Sequence, residues 1–364
     1  MMLQNNIKPK NVIIGPLPPG IGGIATITGL LHNEFKNDET FTFINTDKLP
    51  NKISKILRPF RFLKQILLTI KRNKVGVVLM FSSAYNSFWE KCIWCYIFNF
   101  FGIKTVVLMV DGRFPTFYEQ LPKFIKYLSK GLVKNFDIIA TQSPFWQSYY
   151  KTLFPNNNIQ VINPGINTDY FIPIQQKKIN KPIQLLYVGW MIKNKGIYDL
   201  LEALSILSKK NIQYKLSIVG PDYGNKETIK ENTIKLNIDS FIEFTGELAS
   251  MDDLLKSYQN ADIFVFPSHY EGFPYALMEA ISCGLPCVGT RVGGIPDILN
   301  NGKNGILVNA KNPTELAEGI RTLIENDQYR KEIGLLARMH AMSNYSISKS
   351  IKDFKKILNI KDGV

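Results

Sequence analysis

The residues best able to do chemistry are concentrated between Phe266 and Gly289. The apolar run Ile263–Phe266 reads as a strand, Pro267 ends it, Glu271 and Gly272 form a turn, and Pro274 opens a helix running to about Ser282. Glu279 then falls one to two turns inside that helix, with Glu271 in the loop before it. Backbone amides of Phe273, Tyr275 and Ala276 at the helix start would form a site for an anion such as a diphosphate. The bland alternative makes Glu271 a capping carboxylate and Glu279 a solvated helix residue. Two other strand ends carry functional residue types. Gly22 and Gly23 follow the first strand and open the first helix, where backbone either approaches a phosphate or simply turns tightly. Asp111 comes directly after the strand Thr105–Val110, as a hydrogen-bonding carboxylate, a weak base or a loop cap.

The elements that must position these residues alternate strand and helix. Strands are expected at Asn11–Ile14, Val75–Phe81, Thr105–Val110 and Asp137–Ala140, with a helix over Ile24–Phe35. The pattern restarts after the polar segment Pro173–Lys181, which reads as a linker. Strands follow at Ile183–Val188, Tyr214–Val219, Phe241–Phe244, Ile263–Phe266 and Pro286–Gly289, a helix at Ile197–Leu207, and a last helix over about Ser348–Leu358. Such alternation indicates βαβ units and parallel sheets. The expected fold is α/β, with two Rossmann-like domains facing a central cleft, because ligands bind outside the carboxyl ends of such strands. Domain 1–175 comes first and domain 176–345 second, with 346–364 as a C-terminal helix crossing back to the first domain.

The 364 residues are 45% hydrophobic and 20% charged, as in a folded two-domain protein. Cys92 and Cys95 make a C-x-x-C inside the apolar run Cys92–Ile103, with no second pair at zinc-site spacing; Cys283 and Cys287 flank Gly284 and Pro286. All four read as buried, inert thiols in a reducing compartment. Met1–Lys10 lacks the apolar core of a signal peptide, and Cys92–Ile103 falls short of the roughly 20 residues that cross a bilayer. A soluble or peripheral protein is expected.

The segment with Glu271 and Glu279 resembles the E-x7-E signature of the family 4 retaining glycosyltransferases, which have the GT-B fold. Further landmarks resemble that family in the same order: Val161–Asn167, Val188-Gly189 with Lys195-Gly196, Ser217–Gly220, Phe244–Gly246, Val292–Pro296 and Asn304–Val308. Together they cover nearly all of residues 160–320. The resemblance implies that Glu271 contacts the donor sugar and Glu279 the ribose hydroxyls of a nucleoside-diphosphate sugar. Gly272, Phe273 and Leu277 line the donor site, and Gly22 and Gly23 meet donor phosphate and acceptor. Lys195 neutralises the diphosphate, whose charge grows as it leaves. Trp190 stands where the family usually has Arg, which leaves Lys193 as a candidate second cation or implies a weaker clamp. Asp111 occupies a place where many relatives carry His, and would bond the acceptor hydroxyl or donor sugar, while Arg113 would bind an acceptor phosphate. His269 stands beside the donor motif. No D-x-D in a metal-site context appears, so neither metal nor cofactor is expected.

Charge adds a partner. The formal net charge is +14, and residues 1–175 hold 20 Lys+Arg against 9 Asp+Glu. Within 51–74, cations including Arg58, Arg61 and Lys64 interleave with apolar residues at near-helical spacing and no acid; Lys123, Lys126, Lys130 and Lys134 form a second group. These read as a surface for anionic membrane, or else as solvated helix faces. No zinc, helix-turn-helix or aromatic RNA-binding signature accompanies the charge, so nucleic acid is not the expected partner. The expectation is a hexosyl- or N-acetylhexosaminyltransferase that uses a glycan or polyprenyl-linked acceptor in bacterial surface polysaccharide biosynthesis. It would be cytoplasmic, at the inner face of the membrane. A nucleotide-sugar epimerase or hydrolase, and a non-catalytic binding paralogue, are the alternatives.

Overall fold

A computed structural model describes residues 10–18, 22–46, 68, 75–174 and 182–360. The chain divides into two compact units, Met1–Gly165 with Ser348–Val364, and Ile166–Ile347.

Unit 1 runs β1 (Lys10–Gly15), α1 (Gly23–Phe35), β2 (Phe41–Asn45), β3 (Val75–Ser82), α2 (Asn86–Phe100), β4 (Lys104–Met109), α3 (Phe114–Glu119), α4 (Lys123–Val133), β5 (Ile138–Thr141), α5 (Pro144–Leu153) and β6 (Ile159–Val161). Its described strands form one parallel sheet in the order β2-β1-β3-β4-β5-β6. β3, β4 and β5 read as near-continuous apolar runs because helices cover both faces of a parallel sheet. The steps from β3 to β6 all move one way across the sheet. Right-handed crossovers therefore put α2, α4 and α5 on one face, and α1, whose step runs the other way, on the opposite one.

Unit 2 runs β7 (Ile183–Val188), a 3₁₀ turn (Lys193–Lys195), α6 (Ile197–Lys209), β8 (Tyr214–Val219), α7 (Lys226–Lys235), β9 (Ile242–Gly246), α8 (Met251–Asn260), β10 (Ile263–Phe266), α9 (Tyr275–Ser282), β11 (Cys287–Thr290), α10 (Ile295–Ile298), β12 (Ile306–Val308), α11 (Pro313–Glu325) and α12 (Asp327–Asn344). The sheet is again parallel, in the order β12-β11-β10-β7-β8-β9. The expected strands of both units appear within two residues. Three that were not expected, β2, β6 and β12, are all at sheet edges, where strands are short or carry polar residues.

The last helix, α13 (Ile347–Ile357), returns to unit 1, where Lys355 Nζ lies 3.4 Å from Glu34 Oε1 at the end of α1. The change of unit falls between Gly165 and Ile166, ahead of the expected linker, of which residues 175–181 lie outside the described set. Hydrogen bonds hold 166–171 in unit 2. Ile166 N donates to Tyr345 O at 2.7 Å, Ile347 N donates to Ile166 O at 3.1 Å, and Arg338 Nη1 donates to the carbonyls of Thr168, Phe171 and Ser282. Arg58, Arg61 and Lys64 lie outside the described residues. No helix among the described residues is long and apolar enough to cross a membrane.

All four cysteines are free and buried. Burial pushes the thiols of Cys92 and Cys283 up to about 12 and holds those of Cys95 and Cys287 well above their usual range. An aromatic disulfide reagent at about pH 8 should therefore label no thiol in the native protein and all four in denaturant. Rapid native labelling would contradict the assigned burial.

Candidate functional site

In unit 2 the strand order reverses beside β7: the chain moves from β7 to β8 and β9 on one side, then to β10, β11 and β12 on the other. The loops after β7 and β10 diverge there and leave a crevice at the carboxyl edge of the sheet. β7 and β10 are direct neighbours, with Leu185 opposite Ile263. The loop after β7 carries Lys195 and the loop after β10 carries Glu271, and the two meet: Lys195 Nζ lies 2.6 Å from Glu271 Oε1. Ser268 Oγ donates to the same oxygen at 2.7 Å. The Glu271 side chain is 8% exposed and the Lys195 side chain 25% exposed, so the cation faces solvent while the carboxylate sits behind it.

The two loops are fixed by close backbone approach. Gly196 sits at φ 72°, and a Cβ there would lie 1.9 Å from Pro267 O. His269 N donates to Asn194 O at 2.9 Å, and the His269 ring lies 2.5 Å from the Asp199 carboxylate in the first turn of α6. On the far side, Gly294 N donates to Gly272 O at 3.0 Å, and a Cβ on Gly294 would fall 2.7 Å from that oxygen. Glu271 is thus no cap of α9; its partners are Lys195 and Ser268.

Pro274 stands at the N-cap of α9, and no side chain caps the first turn. The amides there remain a candidate anion site. The side chains of Phe273 and Leu277 are buried in the core of unit 2, Phe273 edge-on to Tyr345, so neither side chain is open to a ligand. Glu279 is partly buried, and its Oε2 accepts from Tyr258 Oη at 2.7 Å. Burial pushes its carboxyl up to about 7, with the Tyr258 hydroxyl pulling the other way. It is not a freely solvated helix residue. Trp190 is 45% exposed, with its ring 5.1 Å from that of Tyr223, and Lys193 is exposed.

Unit 1 has its own reversal beside β1, between β2 and β3. Gly22 follows β1 as the N-cap of α1, at φ 112°, and Gly23 is the first residue of that helix. Asp111, after β4, reaches the loop after β3, accepting from Ala84 N at 3.3 Å. Asp111 and Arg113, expected to act separately, are joined to each other. Arg113 Nε and Nη2 donate to the two carboxylate oxygens at 3.2 and 3.1 Å, and Arg113 N to Oδ1 at 2.9 Å. Asp111 therefore also has the loop-capping role. Among the described residues, no three His, Cys, Asp or Glu side chains gather as metal ligands.

Sequence reasoning missed Ser268, Tyr258 and the Asp199–His269 contact. Ser268 lies inside the motif and was open to notice. Tyr258 sits on α8, and nothing in its spacing links it to Glu279.

Residues 171–339 match the family described as Glycosyl transferases group 1. An uncharacterized glycosyltransferase of Haemophilus influenzae is 29% identical over 336 residues, spanning 89% of this chain and 87% of that one. Among solved structures, sucrose-phosphate synthase from Thermosynechococcus elongatus superposes with a TM-score of 0.78 at 17% identity, over 96% of this chain and 98% of that one. HepE of Anabaena in complex with UDP gives a TM-score of 0.73 at 17% identity, over 96% and 99%. The chain is a glycosyltransferase, and its fold is GT-B, with two Rossmann-like units.

Two outcomes follow from this geometry. Gly196→Ala must move Lys195 away from the Glu271 loop, at roughly 2 kcal/mol or more of stability, seen as a lower thermal midpoint. For Glu279, a carboxyl raised in the folded state binds more protons than in the unfolded chain between its ordinary value and about 7. Its ionisation therefore costs stability as pH rises through that window. Relative to the parent, Glu279→Gln should melt higher at pH 8 than at pH 5; a pH-independent difference would refute the raised value.

Proposed function

We propose that the chain is a family 4 enzyme that moves a hexosyl or N-acetylhexosaminyl group from a nucleoside-diphosphate donor to a glycan or lipid-linked acceptor, with retention of anomeric configuration. The observation that carries this reading is the 2.6 Å Lys195–Glu271 pair at the strand-order reversal of unit 2. As the bond from the anomeric carbon to the leaving oxygen breaks, negative charge builds on the diphosphate. Lys195 and the first-turn amides of α9 supply fixed positive potential there, so the reading requires no metal. Before donor arrives, Glu271 compensates Lys195 and holds it in place. A diphosphate takes over the lysine and leaves the carboxylate to accept from sugar hydroxyls.

Glu279 accepts from the ribose hydroxyls, and Tyr258 fixes its rotamer. Gly272, Phe273 and Leu277 shape the donor site through backbone. In unit 1, Gly22 and Gly23 approach phosphate and acceptor. Asp111 bonds an acceptor hydroxyl or the donor sugar, and Arg113, its present partner, turns to an acceptor phosphate. Trp190 contributes no charge to the clamp, so Lys195 carries most of it. That HepE was solved with UDP supports a nucleoside diphosphate as ligand and puts uridine first among bases to test. The basic first half of the chain supports work at the inner face of a bacterial membrane, in surface polysaccharide assembly.

Donor turnover with uridine, guanosine and adenosine diphosphate sugars tests the reading. Lys195→Ala should lose on the order of a hundredfold or more in kcat for whichever donor is used, and retained kcat would overturn the role. Consumption of donor without acceptor would point instead to an epimerase or hydrolase. Because ribose hydroxyls bond best to an ionised carboxylate, donor affinity should weaken as pH falls through about 7, and Glu279→Gln should flatten that dependence.

A further inference from the structure

α2 is apolar on both sides. Phe88, Cys92, Cys95 and Phe98 face the core of unit 1, which satisfies the packing of the helix. Its outward stripe, Ile93, Tyr96 and Phe100 at i, i+3 and i+7, is apolar as well, and these side chains are 57%, 62% and 82% exposed. Phe101, at the C-cap, continues the stripe, its ring 5.5 Å from that of Phe100. No charged residue follows Lys91 in α2, and Lys91 itself pairs with Glu90 at 3.1 Å. A surface helix normally carries polar residues on its outer side.

The neighbouring helix repeats the anomaly. α4 packs beside α2, and Asn99 Nδ2 of α2 donates to Asn135 O just past the end of α4 at 2.9 Å. Phe124, Tyr127 and Leu128 point outward from α4, with Tyr127 77% exposed. Right-handed crossovers put both helices on the same face of the sheet, so the two stripes share one surface. α4 also carries Lys123, Lys126 and Lys130 with no acid, and Lys134 follows it. Lys123, Lys130 and Lys134 make no ion pair with any described residue. The surface is thus a cluster of aromatic and aliphatic side chains bordered by uncompensated ammonium groups.

We infer that the outward face of α2 and α4 is where the protein inserts into an anionic bilayer. Phe100, Phe101, Tyr96 and Tyr127 enter the headgroup boundary, and the lysines meet lipid phosphates. Charge complementarity decides the occupant. A second copy of this face would bring lysines against lysines, and the chain's own acid-free 51–74 stretch would meet them with like charge. An anionic lipid surface satisfies both halves of the pattern at once. The inference rests on the membrane reading above and assigns it to particular side chains.

Co-sedimentation of the full chain with phosphatidylcholine vesicles, with and without phosphatidylglycerol, tests it. The parent protein should bind only the anionic vesicles and release at high salt. Phe100→Ser combined with Tyr127→Ser should weaken binding by on the order of tenfold or more, with an unchanged thermal midpoint. Parent binding that the double variant retains, while Arg58→Glu with Arg61→Glu abolishes it, would overturn this inference and leave the membrane reading standing. No binding by the parent would overturn both. A concentration-dependent dimer of the parent, lost in Phe100→Ser, would show that a second copy occupies the face and would also overturn it.

Discussion

A carboxylate as enclosed as Glu271 must have a counter-charge or give up its own, since an isolated buried anion costs far more than any single contact returns. Here the partner comes from 76 residues earlier, on a different βα loop. The requirement disciplines much of unit 2. β7 and β10 must be neighbours, Gly196 must let the Lys195 loop lie against Pro267, and Gly294 must let the other wall close on Gly272. The Asp199–His269 contact ties the same two loops a second time. Without this bracing, a lysine and a carboxylate on flexible loops would drift apart, and a charge pair this exposed on one side would bring little stability.

On the proposed reading, the pair also suits chemistry that a permanently free lysine would perform less well. An ammonium held in one orientation loses little conformational entropy when an anion replaces its partner. On the proposed reading, the Glu271 carboxylate is then bared at the moment a polyhydroxylated ligand needs an acceptor. Ser268, which shares the same carboxylate oxygen, gives the side chain a second anchor independent of the lysine.

Much of this was legible in the amino-acid order. The strands of both sheets show as apolar runs because helices bury both their faces, and Glu271, Glu279 and Lys195 stood out once the motif order was recognised. What stayed hidden depends on tertiary proximity. The Tyr258 hydroxyl meets Glu279 only because α8 lies beside α9, and no periodicity encodes that. Asp111 and Arg113 looked like two independent ligands, since a two-residue separation does not reveal a side chain folding back on its neighbour's carboxylate. The run after Cys92 shows the limit from the other direction. Its cysteines are buried, but continuous apolarity cannot say which residues of a helix face inward, and Tyr96 and Phe100 face out.

The parallel bridge between Ile166 and Ser346, with its bonds to Tyr345 and Ile347, brings the entry and exit of unit 2 side by side. Topologically, the second unit is an insertion in the first, clasped at its base, and unit 1 is completed only when α13 is made. A segment whose ends meet is one that can be exchanged as a cassette without rethreading its host. In such an architecture, the inserted lobe can be replaced by another of different specificity while the first sheet and its outer helices keep their places. Synthesis has an order as well: unit 1 must wait, one helix short, until the inserted lobe has left the ribosome.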